Sequence, residues 1–349
     1  MKSLEDIIAQ AGSDSPQFDE YLNLISEYAC SFVQSNLTLS DNSDINKYLY
    51  APLSEFTKNS GKMHRPVICL LACEAVGGNH KDAITSAAAI EHFHSACLIH
   101  DDIADKALTR RGMPAMYLEQ GVGIAVNIGD LALSLVNGTV IDDDCLDDTT
   151  KVAVVSELLT MTRRTIEGQA LDIGWARDGR YDIAIQDYLT MATRKTAFYS
   201  GAVPLAIGAM VGGGSDEEIS ALRKFGLDTG LAFQIQDDIL NLIGSEEAVK
   251  KDFRNDITEG KRTLMVVHAL ENSTESDRLK EILELNTAQE SLKSEAVEIM
   301  IASGSIKFAR DYAEKLCVQS IVEMEAVIKP SVTRGALSSM ANWFVSRLS

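Results

Sequence analysis

Cys97-Leu98-Ile99-His100-Asp101-Asp102-Ile103-Ala104-Asp105 is the stretch on which the reading of this chain turns. A near-copy of its acidic end, Asp237-Asp238-Ile239-Leu240-Asn241, follows 136 positions later, behind Leu231-Ala232-Phe233. Both settings read as buried helices. Carboxylates are almost never fully buried unless they are paired or bound to metal. Two such clusters in one core therefore read as two walls of a metal site. On a helix, residues four apart share a face. Asp101 then projects with Asp105, about 6 Å away along the axis, and Asp237 with Asn241. Asp102 and Asp238 lie beside these faces. Oxygen donors without Cys or His at ligand spacing favour Mg²⁺, or Mn²⁺, over zinc. Mg²⁺ keeps waters and shares its shell with phosphates, so the expected occupant is an ion cluster carrying a diphosphate.

Outward from these clusters the pattern stays helical. Ala, Leu and Ile recur at spacings of three and four, notably from Asp82 to Ile103 and from Glu218 to Leu242. Strong alternating strand patterns are absent. Several helices are apolar nearly all round, as at the centre of a large bundle. Polar and glycine-rich connections are expected near 77–82, 112–114, 142–150, 177–182, 211–217 and 244–247. Nothing resembles a linker, so residues 1–349 are expected to form one all-α domain. The segment after 270 is amphipathic, carries no chemical signature, and is expected to close the bundle.

A third acidic string, Asp143-Asp144-Cys145-Leu146-Asp147, lies in a run of acids and reads as a solvated loop or a helix N-terminus, where Asp is favoured. The net charge of −19 argues against nucleic acid as a partner. It also makes an anionic substrate dependent on local cations. Six scattered cysteines read as reduced thiols of a cytoplasmic protein. The start lacks a signal peptide's apolar core. No run of 18 uncharged apolar residues occurs, so no membrane-spanning helix is expected.

Basic groups accompany the acids in order: Lys62 and Arg65 in Gly61-Lys62-Met63-His64-Arg65-Pro66, then Arg110-Arg111-Gly112, Arg194-Lys195-Thr196, Lys250-Lys251 and Gly260-Lys261-Arg262. With His94, Gly129-Asp130, Gly168-Gln169, Asp172, Phe233-Gln234 and Asp256, these motifs make the chain resemble the trans-isoprenyl diphosphate synthases, the polyprenyl synthetase family, from Gly61 to Lys261. The resemblance implies an all-α bundle around a deep apolar cavity, as a homodimer, and head-to-tail condensation of an allylic diphosphate with isopentenyl diphosphate. It implies that Asp101, Asp105 and Asp237 bind Mg²⁺, with Asp102, Asp238 and Asn241 in support. Arg110, Lys195, Gln234, Lys251 and Lys261 would contact the allylic diphosphate, with Thr196 beside Lys195. Lys62, Arg65, His94 and Arg111 would hold isopentenyl diphosphate.

Three positions depart from the family pattern. Asn241 stands where many relatives have Asp, Met63 where a basic residue is common, and Arg254 where glycine is usual. Ala96 and Cys97, just before the first cluster, are small where relatives that stop at C15 carry a bulky aromatic; a product of C20 or longer is expected. The rival readings are a class I terpene cyclase and a regulatory subunit. Asn255-Asp256 begins a cyclase triad, but Glu259 sits where Ser or Thr is needed. Regulatory subunits typically lose the acidic motifs, and this chain keeps both.

Overall fold

The computed structural model describes residues 18–244 and 253–346, apart from 36, 38 and 60. Among them the only sheet is a hairpin of two-residue strands, β1 (Thr109–Arg110) and β2 (Met113–Pro114). Everything else regular is helical, as the apolar periodicity predicts. The chain divides into two compact units: residues up to 162 with 201–224 and 323–340, and residues 163–200 with 225–322 and those from 341 onward.

In the first unit, helix His64–Ala75 is enclosed on almost every side and packs against the first acidic helix, His80–Ala104. Asn79 caps that helix by accepting from the Lys81 amide at 3.0 Å, which satisfies one orphan donor of the first turn. At its other end Lys106 takes the left-handed conformation (φ 53°), and the Ala107 amide reaches back to the Asp102 carbonyl at 3.0 Å. This is the usual glycine-type helix stop with a lysine in the glycine's place. Helix Val122–Ile141 packs against the first acidic helix, and a Cβ at Gly129 would lie 2.2 Å from His100 Nε2. The sequence motif Gly129-Asp130 thus has a packing reason.

Helix Val122–Ile141 is the one apolar helix of such length among the described residues. It is 20 residues long, has a mean hydropathy of 1.6, and is long and apolar enough to cross a membrane, although only a third of the tested window is buried in this chain. Asp130 places a charge inside the apolar run.

In the second unit, the part of the second acidic helix (Asp216–Ile243) from residue 225 onward lies close to a π-helical stretch, Thr193–Ala202, that carries Lys195 and Thr196. Missing side chains permit the approach. A Cβ on Gly230 would be 2.9 Å from Ala197 Cα, and one on Gly168 would be 2.2 Å from the Lys195 backbone nitrogen. π-helical turns are uncommon and gather at functional sites. Helices Leu264–Asn272, Ser276–Glu284 and Glu290–Ala302 pack together beyond, as the amphipathic C-terminal pattern predicts. The third acidic string is a connection; Asp147 accepts from the Thr150 amide at 2.8 Å and starts helix Asp148–Arg177.

Candidate active site

Both acidic clusters occupy the C-terminal ends of their helices. The helix dipole is negative there, so carboxylates are disfavoured unless cations compensate. At the first cluster the compensation is covalent to the chain. Asp102 is only 1% exposed and receives a two-pronged pair from Arg110, with Nε 2.9 and 3.1 Å from the two carboxylate oxygens. Arg110 comes from β1, and the turn after it places Arg111 (φ 54°) and Gly112 (φ 80°) both in left-handed conformations. Such a two-residue turn matches the twist of a hairpin. It carries Arg111 over the Phe56 ring, 5.7 Å from its centre, and within 3.3 Å of the Asn59 carbonyl. A cavity of about 120 Å³ opens here, lined by Phe56, Arg110, Arg111, Met113 and Met116 among others.

Behind the two arginines lies a buried basic group. Arg65 is buried in the first turn of its helix, and its charge acts on His94. Burial, together with Arg65, Arg111, His64 and Arg110, holds the His94 imidazole well below its ordinary value, so it is neutral. Glu91, one helical turn before His94, is 2% exposed. Burial pushes its carboxyl up to about 7 although Arg65 and Arg111 pull it down. Glu91 is absent from the motifs read in the sequence; its only signal is a spacing of three from His94. Lys62 is exposed at the surface of this unit, and Met63, a buried neighbour of Ala29, Val33 and Ala88, is a core residue.

The second cluster has a different set of partners. Asp238 is 8% exposed, and its side-chain hydrogen bonds among the described residues come from neutral groups. The Tyr188 hydroxyl donates to one oxygen at 2.8 Å and the Gln234 amide to the other at 2.7 Å. Thr196 in turn donates to Gln234 at 2.6 Å, which fixes the amide's orientation. Burial, then Asp256, pushes the Asp238 carboxyl up to about 8. Lys195 is paired with Asp172; burial raises that carboxyl, but Lys195, Lys261 and Arg262 together hold it below the usual range. Lys261 lies 3.3 Å from Asp256 and 2.6 Å from Glu259. Tyr188, seven residues before Lys195, was not singled out in the sequence. Lys251 lies outside the described residues.

The predicted residues therefore gather as two sets. Asp101, Asp102, Asp105, Arg110, Arg111, Arg65, His94, Ala96 and Cys97 belong to the first unit; Lys195, Thr196, Gln234, Asp237, Asp238, Asn241 and Lys261 belong to the second. Cys97 is one turn before Asp101 on the same face, whereas Ala96 is fully buried among Ile99, Ala125, Ile128 and Ala132. Among the described residues, five non-glycine positions have positive φ, and four of them (Met63, Lys106, Arg111, Arg254) stand in or beside these motifs. Strain of about 1–3 kcal/mol per such residue persists where function or surrounding structure demands it.

The donor set fits a hard divalent cation. No three His, Cys, Asp or Glu side chains among the described residues are gathered to enclose an ion. Mg²⁺ needs no such cage, since it takes one or two carboxylates and fills its shell with water and phosphate. Burial, with Asp256 and Asp172 nearby, pushes the Asp238 carboxyl up to about 8, and that excess of acid is what a cation would relieve.

The model of the polyprenyl synthetase family matches residues 46–300. The chain belongs to the polyprenyl synthetase family. Among these synthases it is 40% identical over 290 residues to the short chain isoprenyl diphosphate synthase of Methanothermobacter thermautotrophicus, covering 82% of this chain and 86% of that one. The solved geranylgeranyl pyrophosphate synthetase of Pyrococcus horikoshii superposes with a TM-score of 0.85 at 30% identity, covering 94% and 98%. A geranylgeranyl pyrophosphate synthase of Corynebacterium glutamicum, solved with isoprenyl diphosphate and magnesium, superposes with a TM-score of 0.85 at 25% identity, covering 95% and 99%. As a member of this family the chain is a prenyltransferase with the all-α isoprenoid synthase fold.

Proposed function

We propose that this prenyltransferase extends an allylic diphosphate by head-to-tail condensation with isopentenyl diphosphate, in a Mg²⁺-dependent reaction that yields C20 or longer products. The observation that carries this is that each acidic cluster ends a helix in a unit that also holds preorganised basic side chains: Arg110 on Asp102 at the first, and Lys195 on Asp172 and Lys261 on Asp256 in the unit of the second. Asp101, Asp105 and Asp237, supported by Asp102 and Asp238, are the assigned metal ligands. Bound Mg²⁺ supplies positive charge to the departing diphosphate. Lys195 and Lys261, each already held by carboxylates, and Gln234, oriented by Thr196, position the allylic diphosphate. Arg110 serves the same group while pinning Asp102. Lys251 is assigned to it by family resemblance. Lys62, Arg65, Arg111 and neutral His94 hold isopentenyl diphosphate.

The C–O bond of the allylic substrate breaks with both electrons leaving on diphosphate. Preorganised donors stabilise that charge as it develops. The double bond of isopentenyl diphosphate attacks the allylic cation, a new C–C bond forms, and a proton leaves to the released diphosphate.

Two finer readings have support. Product length of C20 or more follows from small Ala96 and Cys97 and from likeness to geranylgeranyl synthases. Homodimerisation is supported by an exposed stripe on helix Asp148–Arg177: Val152, Leu159, Ile166 and Ile173, spaced by seven, are 70, 54, 60 and 43% exposed. Such an unpaired seam suits a second copy of the same helix. We take residues 1–349 as one functional domain, and a cytoplasmic location is in keeping with six free cysteines. The cyclase reading is disfavoured because Glu259 is bonded to Asn255 and Lys261.

The test is product analysis with labelled isopentenyl diphosphate, Mg²⁺ and each allylic primer. Elongated diphosphates of C20 or longer are expected. A hydrocarbon from geranylgeranyl diphosphate alone would establish the cyclase instead. Cys97→Phe, on the face below Asp101, should shorten the product more cleanly than Ala96→Phe, which must also displace Ile128 and its neighbours.

A further inference from the structure

Two of the sequence departures meet in the structure. Arg254 takes the left-handed conformation (φ 59°, ψ 30°) that a glycine adopts without strain. Its backbone amide donates to the Asn241 carbonyl at 3.0 Å. Its side chain donates from Nε to the Leu242 carbonyl at 3.1 Å, and from a terminal nitrogen to Glu290 and Ser294, each at 2.7 Å. The guanidinium also sits 4.7 Å from the centre of the Phe253 ring. Asn241 completes the arrangement: its side-chain oxygen accepts from the Asp256 amide at 3.2 Å. The Asp256 carbonyl then accepts from the Lys261 amide at 2.9 Å.

We propose that Arg254 and Asn241 form a latch that fixes the Asp256–Lys261 segment to the end of the second acidic helix, so that both are positioning residues for the diphosphate site. Asn241 acts through its carbonyl oxygen, which is engaged by a backbone amide, and a metal-ligand role for that oxygen would break the latch. Arg254 contributes what a glycine cannot. Its guanidinium bridges the Leu242 carbonyl, near the end of the second acidic helix, to helix Glu290–Ala302. A cation at that end of a helix also meets the favourable end of the dipole. The segment is thereby held directly by the Asn241 side chain at Asp256 and anchored at its start by Arg254, while Lys261 and Asp256 interact electrostatically with Asp172 and Asp238.

The latch rests on the diphosphate-site reading, and the tests separate the two. Arg254→Gly keeps the backbone turn and removes only the tether. It should raise KM for the allylic diphosphate about ten-fold while KM for isopentenyl diphosphate stays within about two-fold, on the scale of losing one charged hydrogen bond. Arg254→Lys, which can still reach Glu290, should fall between. Independently of activity, hydrogen exchange of Arg254→Gly should quicken at residues 254–261 and stay unchanged at 101–111. Equal rises in both KM values, or unchanged exchange at 254–261, overturn the latch. A wild-type chain that transfers no prenyl group with any primer overturns the diphosphate-site reading instead, and exchange alone then decides the latch.

Discussion

At the first acidic cluster the buried carboxylate, Asp102, is gripped by a guanidinium; at the second its counterpart, Asp238, is held by a phenol and an amide. The strings are near-copies in sequence, and both end helices whose dipoles oppose them. Their charges are balanced by different means. Asp102 carries its counterion with it, eight residues along the chain. Asp238 is surrounded by further acids and keeps its proton toward neutral pH unless a cation arrives. One cluster is thus prepaid in charge, and the other waits for its cation. Sequence motifs name the carboxylates; the neighbours decide their charge.

The contrast breaks most visibly in stability. Arg110→Ala strips a buried partner from Asp102 and should destabilise the fold by about 3–5 kcal/mol, measured by denaturant unfolding. A loss under about 1 kcal/mol would mean that the pair is not a buried charge pair at all. Packing gives the next effect. Gly168→Ala drives a Cβ into the Lys195 backbone, which cannot rotate away, and should cost about 1–3 kcal/mol. Gly129→Ala meets only the His100 ring and should cost less, because a side chain can turn. Equal costs at the two glycines would contradict that distinction.

Acidity sharpens the comparison further. The folded-state value of Asp238 is raised from 3.8 to about 8, so the native protein holds a proton that the unfolded chain releases in between. Its contribution is favourable below about pH 4 and is lost as pH rises through 8. Glu91, raised to about 7, works in the same direction; His92, lowered to about 4 by burial, costs stability as pH falls below its ordinary value. Both are common to wild type and Asp238→Asn and cancel in the difference. In chelator, the melting temperature of wild type minus that of Asp238→Asn should therefore decline from pH 5 to pH 8. Parallel curves would show that Asp238 titrates normally. The smallest effect is expected from Tyr188→Phe, about 1 kcal/mol, since one hydrogen bond to Asp238 is lost and the Gln234 bond remains.

Much of this was legible beforehand, and for definite reasons. Helices follow from apolar spacing, and the connections around Gly77, Asp143, Gly179 and Gly213 from turn residues. The two acidic clusters stood out because aspartate in an apolar run needs a cause. The hairpin around Arg111-Gly112 did not, since two-residue strands are too short to show alternation. Partnerships across the fold were also invisible. Tyr188 and Asp238 are 50 positions apart, and nothing in either neighbourhood announces the other. Arg262 read as part of a basic motif, yet it is 2% exposed, donates to the carbonyls of Arg180 and Gly260, and stacks on Tyr181. It is a structural residue carried inside a functional string.

On the proposed function, both clusters serve one Mg²⁺-dependent diphosphate reaction. Calorimetric titration of inorganic diphosphate into wild type, Asp101→Ala, Asp237→Ala and the double variant, with Mg²⁺ and with chelator, tests it directly. The prediction is tight binding by wild type only with Mg²⁺, a loss of about 10²–10³-fold in each single variant, and a double variant no weaker than either, as expected for groups acting as a unit. Mg²⁺-dependent binding that survives Asp237→Ala, or losses that simply add, would contradict it.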